Sequence, residues 1–184
     1  MIKKILKYLL FIFILIVLIV VSIIHIQGNF YKVNQDVYRS GQLNKYNLEY
    51  YIKTHKINTI INLRGKSTKP YYIDEINISN EYNVKHIDHE MSNRVYLDFN
   101  KTSKLVSIMR NAKKPLLIHC AGGADRTSLA SALYQYAIEN KSKDEAKEEF
   151  SIWYGHSVYF RKHVIAMDNS FDNFVKNNEN NKGK

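Results

Sequence analysis

The chain has one cysteine in 184 residues, Cys120. No disulfide framework can form, and the single thiol leaves the compartment open. Arsenate reduction, which draws on further cysteines, is excluded. The histidines lack metal-ligand spacing: His86 and His89 stand three apart near a strand with no third ligand in register, so no metal is expected. No residue pattern implies another cofactor. There is no basic–aromatic stripe and no nucleic-acid fingerprint, so no nucleic-acid partner is expected. Internal repeats are absent. Acid is in deficit, with 17 Asp+Glu against 27 Lys+Arg and a net charge of +10. A basic surface suits anionic partners such as phosphorylated proteins or acidic lipid headgroups, although most of these lysines read as solvated surface.

What the chain does have is a long apolar run at its start. Lys3, Lys4 and Lys7 precede residues 9–24, which carry no charge and one polar residue, Ser22. Extended to Ile5 and Ile26, the run is long enough at ~1.5 Å per residue to span a ~30 Å hydrocarbon core, with Lys7 snorkelling. A cleaved signal peptide needs a small-residue cleavage site, and residues 22–28 offer no good one. Residues 1–28 therefore read as an uncleaved, single-pass signal anchor. Its lysines should stay in the cytoplasm, which puts the folded domain on the periplasmic or extracellular side. Residues 29–176 form one domain, large enough for a core. The Asn/Lys-rich end, 177–184, is expected to be disordered.

Within the domain, apolar strand-like runs fall at 30–33, 37–39, 57–63, 84–88 and 116–119. Helix-like segments fall at 44–55, 72–83, 100–112, 126–139, 142–153 and 161–176, with a capping box at Ser142 and Glu145. This alternation predicts an α/β fold with a central, mostly parallel sheet flanked by helices. Ligands of such sheets sit at the carboxyl ends of strands.

One segment carries the chemistry. The run His119-Cys120-Ala121-Gly122-Gly123-Ala124-Asp125-Arg126-Thr127 follows a buried strand and opens a helix. Loop amides and a helix N-terminus converging on one spot make an anion site. A helix N-terminus and a nearby cation lower a thiol pKa from ~8.5. Arg126 supplies the cation, and its planar fork fits two phosphate oxygens. A thiolate beside a phosphate cradle is a nucleophile aimed at phosphorus.

This segment resembles the phosphate-binding loop of the cysteine-dependent phosphatases, in their bacterial dual-specificity and tyrosine phosphatase-like group. The runs at 37–42 (Val-Tyr-Arg-Ser-Gly-Gln), 57–64 and 154–156 (Tyr-Gly-His) resemble other stretches of that group. The resemblance implies a membrane-anchored hydrolase of phosphomonoesters acting through a cysteinyl-phosphate, on phosphotyrosine, phosphoserine or phosphothreonine protein or on a phosphorylated lipid. Cys120 would be the nucleophile. The amides of Ala121, Gly122, Gly123, Ala124, Asp125 and Arg126 would hold the phosphate, with both glycines allowing close approach and unusual dihedral angles. Thr127 would stabilise the thiolate as a leaving group, and His119 would shape the cysteine's surroundings. The family usually has glycine where this chain has Ser128. The general acid stays open between Asp88, 32 residues before Cys120 as in the dual-specificity group, its neighbour Glu90, and Asp125, which myotubularin-like lipid phosphatases also carry inside the loop. A bound phosphate dianion should raise the Asp125 pKa. Arg39 and Arg64 are candidates for the cleft wall. The alternative to an enzyme is a catalytically inactive, membrane-tethered phosphate-binding module, against which the presence of both Cys120 and Arg126 argues. Oligomeric state is not legible in the sequence.

Overall fold

The computed structural model describes residues 2–182. In chain order the elements are α1 (Ile2–Gln27), β1 (Tyr31–Lys32), β2 (Val37–Ser40), α2 (Lys45–His55), β3 (Thr59–Asn62), α3 (Pro70–Glu81), β4 (Lys85–Asp88), α4 (Phe99–Asn111), β5 (Leu116–His119), α5 (Asp125–Ala137), α6 (Lys143–Lys147) and α7 (Ile165–Lys182). The helix starts carry local signals. Asn44 and Asp98 accept from the amides three residues on, and Pro70 opens α3. Such caps satisfy amides that a helix leaves unpaired.

The strands form one sheet in the order β1-β2-β5-β3-β4. Only β1 runs antiparallel; β2, β5, β3 and β4 are parallel neighbours. The sheet is therefore the mostly parallel one that alternating strands and helices imply. Side chains on β5 alternate. Leu116 and Ile118 enter the core made with α4, α5 and α7, and Leu117 enters the one made with α2 and α3. β5 is central, with Ser40 of β2 and Asn62 of β3 both opposite His119. Cys120 thus emerges at the carboxyl end of the central strand.

Two expectations are corrected. The helix expected over 142–153 stops at Lys147. The Glu149 carbonyl accepts from the Arg39 guanidinium at 3.1 Å instead of serving a continuing helix. Ser151 then caps a short 3₁₀ turn, Ile152–Tyr154. The end expected to be disordered from 177 is helical through Lys182. Phe174 and Val175 bury one face of α7, and Asn177 donates to the Asn173 carbonyl at 2.8 Å.

α1 stands apart from the core. Its stretch Lys3–Ser22 has a mean hydropathy of 3.0 and is long and apolar enough to cross a membrane by length and composition.

Phe171 is fully buried and meets Tyr136 edge-on. Phe171→Ala should destabilise the domain by ~3–5 kcal/mol. The exposed Ile73→Ala should change stability by less than ~0.5 kcal/mol. Urea unfolding followed by circular dichroism measures both.

Candidate active site

The loop from Cys120 to Ala124 joins β5 to α5, and its carbonyls are held outward. That of Ala121 accepts from the Gln42 amide at 3.0 Å. That of Gly122 accepts from Asn29 Nδ2 at 2.8 Å. That of Gly123 accepts from Arg39 Nη2 at 2.9 Å, and that of Ala124 from the Ser128 amide at 2.8 Å. Across a trans peptide plane the C=O and N–H point opposite ways. Each outward carbonyl therefore turns the next amide inward: Gly122, Gly123, Ala124 and Asp125. Among the described residues, no amide from Ala121 to Thr127 donates to a protein acceptor. Converging unpaired amides at the N-terminus of a 13-residue helix make an anion cradle. Cys120, 3% exposed, opens it.

The two glycines differ. Gly123 has φ +69°, and a Cβ there would lie 2.4 Å from the Gly41 nitrogen and 2.6 Å from the Ser40 carbonyl carbon. Gly122 lacks a positive φ, and a Cβ there meets nothing within 4 Å. The expected need for glycine thus holds at Gly123 and not at Gly122.

Arg39 does not line the cleft. It lies under the loop, 1% exposed. Its guanidinium pairs with the Glu149 carboxylate, donates to Ser128 Oγ at 2.9 Å and sits 3.9 Å from the centre of the Tyr154 ring. The departure from the family's glycine at Ser128 therefore adds a partner for Arg39. Arg126 donates to the carbonyls of Leu63 (3.2 Å) and Met91 (3.3 Å), which fixes its guanidinium against the loops after β3 and β4. Thr127 is fully buried, and among the described residues its hydroxyl has no hydrogen-bond partner.

His119 is oriented by a residue that the sequence does not single out by role. Glu75 Oε1 lies 3.1 Å from His119 Nε2 and 2.7 Å from His86 Nε2, and Gln42 Nε2 donates to Oε2 at 2.5 Å. Burial pushes the Glu75 carboxyl up, but the His119 and His86 contacts outweigh it and hold it far below the usual range. Arg64 donates to Gln42 Oε1 at 2.7 Å and stacks on Tyr71, so it supports this network.

The acid candidates separate clearly. Asp88 ends β4, with β3 between it and β5, so its backbone lies two strand spacings, ~10 Å, from β5. Its carboxylate accepts from Asn62 at 2.9 Å and Tyr72 at 2.7 Å. Burial and that bond push the Tyr72 phenol up to about 12. Glu90 is exposed beside Gly65 and, among the described residues, makes no hydrogen bond or ion pair. Asp125 is in the loop and buried. Its oxygens accept from Asn93 Nδ2 (2.9 Å), from both terminal nitrogens of Arg161 (2.9 Å each) and from His156 Nδ1 (2.9 Å). Burial raises its pKa, but the His156 and Asn93 hydrogen bonds and the Arg161 charge outweigh that and hold it low. Burial lowers the His156 pKa, but Asp125 on one nitrogen and Asp168 on the other lift it to about 9. The stretch 154–156 packs on the loop throughout. Asn29 Nδ2 bonds the Tyr154 carbonyl at 2.9 Å, and a Cβ at Gly155 would meet the Ala124 methyl at 3.6 Å.

A model of the tyrosine phosphatase family matches residues 25–183. No curated protein sequence matches the chain. Among solved structures, TpbA of P. aeruginosa in complex with phosphotyrosine aligns with a TM-score of 0.63 at 16% identity, covering 80% of this chain and 91% of that one. The core catalytic domain of the PP-IP phosphatase SIW14 from S. cerevisiae aligns at 0.61 with 20% identity, covering 82% and 93%. PTPMT1 in complex with PI(5)P aligns at 0.56 with 12% identity, covering 80% and 97%. These likenesses show the fold.

Gly123→Ala should abolish binding of phosphate or vanadate, because the new methyl meets backbone at Ser40 and Gly41. Gly122→Ala should keep binding within about threefold, roughly 0.6 kcal/mol. Calorimetric titration of each variant distinguishes them.

Proposed function

The chain belongs to the tyrosine phosphatase family, and from that membership we propose a membrane-anchored, cysteine-dependent phosphomonoester hydrolase. The observation that carries this reading is the ring of outward-tied carbonyls, which aims the loop amides at one point in front of Cys120. Three equatorial phosphate oxygens are the ligand such amides fit, and Arg126 adds a planar fork to two of them. The Cys120 sulfur attacks phosphorus as the bond to the leaving oxygen breaks, giving a cysteinyl-phosphate. Water then attacks that phosphorus, and the thiolate leaves with its charge stabilised by the Thr127 hydroxyl. Inorganic phosphate is released.

The leaving oxygen needs a proton. We assign its delivery to Asp125 instead of Asp88. Asp125 is inside the cradle, and its Oδ1 lies 2.9 Å from His156 Nδ1, which carries a proton up to a pH of about 9. A dianion entering the cradle raises the Asp125 pKa, and the neighbouring His156 is the proton source in this reading. In the second step Asp125 takes the proton of the attacking water. Asp88, two strands away and held by Tyr72 and Asn62, is a positioning residue for β3 and β4.

Substrates compatible with the cradle are phosphotyrosine, phosphoserine or phosphothreonine proteins and phosphorylated lipids. The solved relatives carry phosphotyrosine in one case and PI(5)P in another. α1 serves as the anchor in this reading, its lysines on the cytoplasmic side and the catalytic domain on the other.

The full chain in detergent, with chelator present, should release phosphate from at least one of phosphotyrosine peptide, phosphoserine peptide and phosphoinositide, and Cys120→Ser should release none. If wild type turns over none of them yet still binds vanadate, a binding module replaces the enzyme. Asp125→Asn should cut kcat by ~10²–10⁴-fold on alkyl phosphates, and Asp88→Asn should not. Because the His156 pKa is raised, its proton is held below about 9 and lost above it. The kcat profile should therefore fall as pH rises through about 9, and His156→Gln should remove that limb.

A further inference from the structure

The apolar helix runs into the phosphate loop without a linker. α1 ends at Gln27, and two residues later Asn29 bonds the carbonyls of Gly122 (2.8 Å) and Tyr154 (2.9 Å). Gly28, between them, accepts from the Gly41 amide at 2.8 Å. Gly28 and Asn29 have φ of 70° and 52°, a left-handed pair that turns the chain sharply. α2 grips the same helix end from another side. Asn47 donates to the Ile26 carbonyl, and the Tyr51 hydroxyl donates to the Gln27 carbonyl at 3.2 Å. At ~3.3–3.6 Å per residue, two residues place the cradle within ~10 Å of the helix end.

The surface near that end is aromatic, with Glu49 on α2 and Glu145 and Glu148 beside Trp153 as its acids. Tyr46 and Tyr50 project from α2 at 71% and 61% exposure, and beyond Asn29 stand Trp153 at 78%, Tyr159 at 85% and Phe160 at 73%. Trp153 directly precedes Tyr154, whose carbonyl Asn29 holds and whose ring meets Tyr31 at 4.9 Å. Residues 150–167 contain no acid, and Arg161 and Lys162 follow Phe160 directly. Exposed aromatics beside an apolar span, with basic residues among them, match what a bilayer interface recognises. Indole and phenol rings settle at the headgroup boundary, and basic side chains favour anionic lipid.

Resting on the reading of the chain as an anchored phosphatase, we propose that Tyr46, Tyr50, Trp153, Tyr159 and Phe160 form an interfacial belt around the exit of α1. The belt seats the domain on the bilayer that α1 crosses and holds the phosphate cradle at the headgroup layer. Phosphate esters of that layer are then within reach, and phosphates carried far from the membrane are not.

Trp153 is the only tryptophan, so its emission reports the belt directly. The full chain would be reconstituted in phosphatidylcholine–phosphatidylglycerol vesicles containing lipids brominated either just below the headgroup or at the chain ends. Shallow bromines should quench Trp153 more than deep ones, as expected for rings buried ~5–10 Å. Absence of quenching by either lipid, with α1 still resistant to extraction, overturns the belt. So does Trp153 shielded by a second copy without quenching. In the same vesicles, Tyr159→Ser with Phe160→Ser should lower turnover of embedded phosphatidic acid by about tenfold, 1.4 kcal/mol, and leave a water-soluble aryl phosphate unaffected. Equal loss on both substrates, or none on either, overturns the seating role. If wild type hydrolyses neither substrate while Trp153 is still quenched by shallow bromines, the belt stands and the enzymatic reading falls.

Discussion

The site depends on where four peptide carbonyls point. A loop of unpaired amides facing one spot is unfavourable on its own, because the amide dipoles repel one another and buried donors lack partners. Here the opposite end of each peptide is tied away by the rest of the fold. The ties come from Asn29 before β1, Arg39 on β2, Gln42 after β2, and the first turn of α5 itself. The anion site is thus a property of the sheet's β1–β2 edge packed on β5, and the loop sequence alone does not make it.

Arg39 carries much of that tie, and it is nearly inaccessible to solvent. A buried guanidinium loses hydration worth several kcal/mol, which only well-formed partners offset. Glu149 supplies both its carboxylate and its carbonyl, Gly123 a carbonyl, and Ser128 a hydroxyl. α6 stops at Lys147, just before this contact, and the chain turns back across the loop. That return brings Tyr154, Gly155 and His156 onto the cradle. One buried cation therefore ties the loop to the segment that follows α6.

The strands, the sheet's parallel character and the strand–loop–helix course around Cys120 were legible because they are local. Residues 116–118 are apolar without interruption, as a strand buried on both faces must be, and the glycines and Arg126 follow within one loop. What escaped depends on distant partners. The contact that Glu149 makes just past the end of α6 is with Arg39, 110 positions away. The role of Glu75 needs His119, 44 positions on, and that of Asn93 needs Asp125, 32 on. That Glu75 is a buried acid on α3 beside Ser79 emerges only from the packed fold. The low pKa of Asp125 was also hidden, since it arises from His156, Asn93 and Arg161. Gly122 misled for the opposite reason: composition marks a glycine, but only the backbone tells whether a side chain would fit.

Asn29 joins the two halves of the molecule. Its backbone ends the turn out of α1, and its side-chain amide holds a carbonyl of the phosphate loop. A flexible linker would let the domain sample heights above a membrane over tens of ångströms, with a span growing as ~5–6 Å times the square root of its length. Two residues in left-handed conformations, held by Gly41 and gripped by α2, allow no such sampling. The orientation of α1 and the shape of the cradle are consequently one mechanical unit. Whatever fixes the direction of α1 therefore also fixes the height and tilt of the loop that Cys120 opens.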